Sequence, residues 1–78
     1  DVELCQMILE GPGGKDNIAD VTNCATRLRV NVKDETICKN DAYFKAIGTH
    51  GCSVNGKAFQ VIIGLKVPKI REVFESLL

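Results

Sequence analysis

The sequence predicts an α+β fold: an open-faced sandwich in which a four-stranded antiparallel sheet carries three helices on one face, in the order α-β-β-α-β-β-α. Three observations carry that expectation. Residues 26–32, TRLRVNV, alternate strictly, with Thr26, Leu28, Val30 and Val32 on one face and Arg27, Arg29 and Asn31 on the other. Asn55-Gly56 stands between GCSV and KAFQVIIG, a strong signal for a type I′ hairpin. Apolar residues recur at helical spacing near both ends of the chain, in ELCQMILE and again at Ile70, Val73, Phe74 and Leu77. Two hairpins with helices between and around them leave one sheet face covered and the other open.

The elements follow in order. Over residues 3–10, Leu4, Met7 and Ile8 mark a helical face with Cys5 and Leu9 beside it, and GPGG ends the helix, with Gly13 or Gly14 as a left-handed cap. The lysine in GPGGK invites a phosphate-loop reading, which fails. The GxxxxGK spacing is absent, no Ser or Thr follows Lys15, and the loop leaves a helix instead of a strand. IADVTN (18–23) is a short strand, paired with the one over 26–32, so Cys24 and Ala25 lie in the tight connection between them. KDETICKN (33–40) is a loop, after which Asn40 or Asp41 caps a short helix over AYFKAI that Gly48 stops. A two-residue loop at Asn55-Gly56 pairs Val54 with Lys57, Ser53 with Ala58 and Cys52 with Phe59. Phe59, Val61 and Ile63 form the bulkier face, which places Cys52 inside and Gln60 outside. Pro68 suits a first helical turn and opens the last helix.

Composition narrows the function. The chain has 78 residues, 45% hydrophobic and 26% charged, which is the balance of an ordinary globular protein with one modest core. Lys+Arg and Asp+Glu number 10 each, so net charge gives no footprint for nucleic acid or an anionic membrane. With three Phe, one Tyr and no Trp, a base-stacking surface has no material. There is no run of about 18 apolar residues and no signal-peptide pattern. Because the chain opens on Asp1, it is expected to be a single domain, residues 1–78, cut from a longer protein.

Four cysteines, Cys5, Cys24, Cys38 and Cys52, show no CxxC pair, so a zinc site finds little support even with His50 two positions before Cys52. A disulfide framework is possible by count, but without secretory context free thiols are expected. Cys24 stands apart because two arginines follow it, separated by one leucine, in NCATRLRV. A free thiol, with a pKa of about 8.5, becomes a good nucleophile at neutral pH only when its thiolate is stabilised. Turn N–H groups and a guanidinium supply that stabilisation, and the same groups then hold phosphoryl oxygens. A cysteine phosphatase uses related chemistry but commonly needs C-x5-R. Here two residues separate Cys24 from Arg27 and four separate it from Arg29, and no general acid stands out.

NIADVTNCATRLRVNVKD, preceded by GGK and followed by AIGTHG and QVIIG, resembles the IIB domain of the sugar phosphotransferase system (PTS), in the glucose class of glucose, maltose and glucoside transporters. The likeness runs in element order from Leu4 to Leu78, and C-x-T-R-L-R in an N-I-x5-C context is its most specific piece. It implies the open-faced fold reached above and a phosphoryl relay. A IIA domain carrying phosphohistidine donates to Cys24, which passes the group to a sugar held by the membrane-embedded IIC domain. Carried over by motif, Cys24 is the phosphocysteine nucleophile, with Arg27 and Arg29 as its catalytic neighbours. Ala25 and Thr26 would offer backbone N–H groups to the phosphate and Gln60 a polar side chain. Ala25 departs from the larger aliphatic residue common in the family, at a position where only the N–H is used.

The resemblance implies no cofactor and no metal, no nucleic-acid partner, a monomeric isolated domain, and a place in the cytoplasm at the inner face of the membrane through IIC. The alternative is a regulatory IIB-like module that is phosphorylated on Cys24 and passes nothing on. Cys5, Cys38 and Cys52 read as structural or incidental thiols, and His50 as a loop residue.

Overall fold

The computed structural model describes residues 2–78. Helix α1 spans Val2–Glu10, strands β1 and β2 span Ile18–Asn23 and Arg27–Val32, and helix α2 spans Asp41–Ala46. Strands β3 and β4 span Cys52–Asn55 and Ala58–Ile62, and helix α3 spans Val67–Ser76. Short 3-10 turns precede β1 at Lys15–Asn17 and α2 at Glu35–Ile37. The four strands form one sheet in the order β1-β2-β4-β3, every neighbouring pair antiparallel. The α-β-β-α-β-β-α sandwich is therefore the fold.

Local chemistry accounts for the boundaries. Beyond α1 the chain turns through Gly13 and Gly14 at φ 101° and 89°, and the Gly14 N–H donates to the Leu9 carbonyl at 3.0 Å. The Asn40 side chain accepts from the Tyr43 N–H at 3.1 Å and caps α2. Pro68 sits in the first turn of α3, where its missing N–H costs no helical hydrogen bond. Asn17, a buried polar residue, donates from Nδ2 to the Pro12 and Asp34 carbonyls and accepts from the Asp34 N–H, pinning the α1–β1 loop to the end of β2.

The alternation read in the sequence decides the core. Leu28, Val30 and Val32 of β2, with Phe59, Val61 and Ile63 of β4 and its extension, are buried on one sheet face. Cys5 and Ile8 of α1, Phe44 of α2, and Val67, Ile70 and Phe74 of α3 close over them. Phe44 and Phe59 meet with ring centroids 5.4 Å apart. Two expectations need correction. Met7, placed on the buried face of the first helix, is exposed, because α1 seats on the core through Cys5 and Ile8, with the Cys5 sulfur against the Ile70 carbonyl at 3.6 Å.

The hairpin register also differs. Asn55 pairs with Ala58, Val54 with Phe59, Ser53 with Gln60 and Cys52 with Val61, so the two loop residues are Gly56 and Lys57. Gly56 has φ 59° and no non-glycine residue has positive φ among the described residues. A type I′ turn needs positive φ at both central positions, whereas type II′ needs it at the first alone. The glycine therefore takes the first place and the turn moves one residue along. The register slips by two on β4, so faces are preserved: Cys52 packs half-buried against the core, as expected.

Candidate functional site

The open face of the sheet is laid out by register. Thr22, Arg29, Gln60 and Ser53 form one row across β1, β2, β4 and β3, and Arg27 opposite Ile62 begins the next, toward the β1–β2 turn. Arg29 is exposed, while Arg27 and Gln60 are half-buried. Arg27 Nη1 donates to Gln60 Oε1 at 3.0 Å, so one edge of this guanidinium is held in place. The structure thus brings together three residues, Arg27, Arg29 and Gln60, that lie up to 33 positions apart in the chain.

Cys24 sits where β1 ends. Its N–H donates to the Arg27 carbonyl at 3.0 Å, which closes a tight turn with exposed Ala25 and Thr26 at its tip. The Thr26 carbonyl in turn accepts from the Ile63 and Gly64 N–H groups, at 3.0 and 2.8 Å, and ties the turn to the far end of β4. Cys24 itself remains only partly covered.

The four thiols, all free, divide sharply. Burial pushes Cys5, Cys38 and Cys52 up from the ordinary thiol value, and nearby acidic groups add to the rise at Cys38 and Cys52. Cys24 alone is pulled below the ordinary thiol value. The backbone N–H of Thr26 is the largest cause. Partial desolvation opposes it, and the Arg27 N–H and the Arg29 guanidinium add to it by hydrogen bonding and charge. Toward the sulfur the turn donors are therefore Thr26 and Arg27, one residue beyond the Ala25–Thr26 pair named for the phosphate. Of the two guanidiniums, that of Arg29 and not that of Arg27 favours the thiolate.

The profile described as phosphotransferase system, EIIB matches residues 6–37, a span that includes this turn and the arginines. An N-acetylglucosamine-specific EIIB component of the PTS from Streptomyces coelicolor is 40% identical over 73 residues, covering 94% of each chain. This chain belongs to the PTS EIIB family. The maltose-specific EIICB component of Bacillus subtilis is 62% identical over 72 residues, 92% of this EIIB chain. The chain spans only 14% of that relative's length. Among solved structures, one domain of the PTS IIabc component from Clostridium difficile superposes with a TM-score of 0.83 at 32% identity, covering 96% of this chain and 79% of that one. The PTS EIIB family is the one that NIADVTNCATRLRVNVKD, with GGK, AIGTHG and QVIIG around it, resembles.

Two residues of this EIIB site escaped the sequence reading. Asn23 Nδ2 donates to the Cys24 carbonyl at 3.0 Å, and Arg71 Nη1 of α3 donates to Asn23 Oδ1 at 3.0 Å. In the sequence Arg71 shows only an i,i+4 spacing to Glu75, the mark of an ordinary surface pair. Its contact with Asn23 spans 48 positions, and no local pattern announces it. His50 stays an exposed loop residue whose N–H donates to the Ile62 carbonyl at 3.0 Å. Among the described residues no helix is long and apolar enough to cross a membrane.

Proposed function

We propose that Cys24 is the phosphoryl carrier of this EIIB domain, taking the group from a phosphohistidine of a IIA partner and giving it to a sugar held by a IIC membrane domain. The observation that carries this reading is the division among the four thiols: only Cys24, partly covered in a turn rich in N–H donors, is drawn toward the thiolate. In the first step the sulfur attacks phosphorus, an S–P bond forms, and the N–P bond breaks with its electron pair returning to the imidazole. In the second a sugar hydroxyl oxygen attacks phosphorus and the S–P bond breaks, regenerating the thiolate, while the hydroxyl proton leaves to a base on the acceptor side. Phosphoryl transfer is mostly positioning and charge neutralisation, which fits the parts present. The N–H groups of Ala25 and Thr26, the Arg29 guanidinium, and Arg27 anchored on Gln60 bind the phosphoryl oxygens.

The reading makes this chain one domain of a longer transporter, at the inner face of the membrane through IIC. The relatives at 62% and 63% identity, a maltose-specific and an alpha-glucoside-specific EIICB component, support a fused EIICB arrangement. The test is incubation with a IIA domain phosphorylated by labelled phosphate, followed by mapping of the labelled residue. Label is expected on Cys24 and lost in Cys24→Ser, while Cys5→Ala, Cys38→Ala and Cys52→Ala keep it. Label on His50 or on another cysteine overturns the assignment.

A further inference from the structure

The β1–β2 turn is short and exposed, and exposed turns are the mobile part of a sheet. The structure holds this one from outside the sheet. Glu75 Oε1 accepts from Arg71 Nε at 2.8 Å, Arg71 Nη1 donates to Asn23 Oδ1 at 3.0 Å, and Asn23 Nδ2 donates to the Cys24 carbonyl at 3.0 Å. The chain runs without a gap from the last turns of α3 to the backbone of the proposed phosphoryl carrier. The two middle members, Arg71 and Asn23, each have a partner on either side, so each is held in one orientation. The carboxylate fixes one edge of the guanidinium and the guanidinium fixes the amide of Asn23. Asn23 cannot flip without losing both of its contacts.

The contact at the end of the chain has a specific consequence. A trans peptide is planar, so its C=O and N–H point in opposite directions. All described peptides are trans. Fixing the Cys24 carbonyl on Asn23 therefore fixes the direction of the Ala25 N–H, a group exposed at the tip of the turn and not among those that lower the Cys24 thiol. The same constraint sets the start of the turn from which the Thr26 and Arg27 N–H groups approach the sulfur. Arg71 does not figure among the groups that lower the thiol, so it works through Asn23 and not by its own charge at the sulfur.

We infer that Asn23 and Arg71, with Glu75 behind them, are positioning residues that hold the Cys24–Ala25 peptide in the orientation needed to stabilise first the thiolate and then the phosphoryl group. This rests on Cys24 as the carrier, but its test does not. The readout is the pH midpoint of alkylation at Cys24, followed residue by residue with iodoacetamide and mass spectrometry on the folded domain. Asn23→Ala is expected to raise the midpoint by about half a pH unit, a roughly threefold loss of thiolate at pH 7. Arg71→Met is expected to raise it in the same direction by less. The double variant should match Asn23→Ala alone, because both substitutions cut one chain.

Arg71→Lys, which can still donate to Asn23, should recover part of the Arg71→Met shift. Lys69→Met, an equal loss of charge on an exposed side chain of α3, should shift nothing. A shift from Lys69→Met, or a double variant equal to the two single shifts added together, would mean that charge and not positioning is at work. An unmoved midpoint in folded Asn23→Ala overturns the inference outright. If Asn23→Ala loses its thermal transition, Arg71→Met against Arg71→Lys carries the test, and equal midpoints for the two overturn it. Labelling of Cys24→Ser by the phosphorylated donor would sink the carrier assignment and leave the midpoints as they are, so the two failures are separable.

Discussion

Arg27→Lys separates accepting a phosphoryl group from passing it on. Arg27 Nη1 donates to Gln60 Oε1 at 3.0 Å, an anchor that leaves the guanidinium's remaining N–H groups for a phosphate. Lysine keeps the charge, but a single rotating ammonium cannot present a fixed planar fork to the anchor and to phosphoryl oxygens together. A hydrogen bond to a charged group is worth about 1.5–3 kcal/mol, and because the pair is only partly buried the lower figure applies. At about 1.4 kcal/mol per decade, a contact of that size made only in the transition state is worth roughly tenfold in rate. Acceptance should change by less than about twofold, since the side chain that acts on the thiol is that of Arg29.

The assay is a pair of rates on each variant: labelling by phosphorylated IIA, and sugar phosphorylation with membranes containing IIC. Gln60→Leu, which removes the anchor but leaves the arginine, should reproduce part of the transfer defect. Equal falls in both rates for Arg27→Lys would refute the division of labour. Normal transfer in Gln60→Leu would show that the anchor does not hold a working guanidinium.

Three further outcomes are expected. The Cys24 thiol is depressed in the folded state, so its contribution to stability is fully present above the ordinary thiol value and is lost as pH falls through the lowered folded value. The stability advantage of wild type over Cys24→Ser should thus grow with rising pH between those two values and stay flat below, as read by urea unfolding at a series of pH values. Gly56→Ala should cost about 1–2 kcal/mol in thermal or urea unfolding, because alanine at φ 59° is strained, while Asn55→Ala, with negative φ, should cost less than about 0.5 kcal/mol. Equal costs would return the turn to Asn55-Gly56. Gly11→Ala places a Cβ into the buried ring of Phe44 and should destabilise by about 1–3 kcal/mol or more; an unchanged melting temperature would contradict the packing of the α1–β1 loop on α2.

Much of the fold is legible in the sequence because period and breakers are local. The strict alternation of residues 26–32 determines which side of β2 is buried, since the side-chain period of a strand is two whatever it pairs with. The strand IADVTN, the glycine stop after residue 47 and the proline at the start of α3 are local in the same sense, and the structure places them as read, with Asn40 the one of the two candidate caps that it uses. The cysteine and arginines of the candidate site are equally visible, because seven consecutive residues, NCATRLR, hold the thiol, the turn and both cations.

What the sequence left open depends on contacts between distant segments. Asn55-Gly56 suits either turn, and only the φ values reached once β3 and β4 pair put the glycine first. Met7 and Cys5 are both apolar on one helix, and the seat against Ile70 chooses Cys5. Arg27 and Arg29 are equivalent on a strand diagram. They part only because Gln60 captures the guanidinium of one, while the other draws the Cys24 thiol down. Arg71 reaches the site from α3 across 48 positions, through a hydrogen bond that neither helix periodicity nor its i,i+4 partner encodes. Local sequence sets which atoms a segment can offer and on which face. Which of them meet is set by the close packing of helices on the sheet, a property of the whole chain.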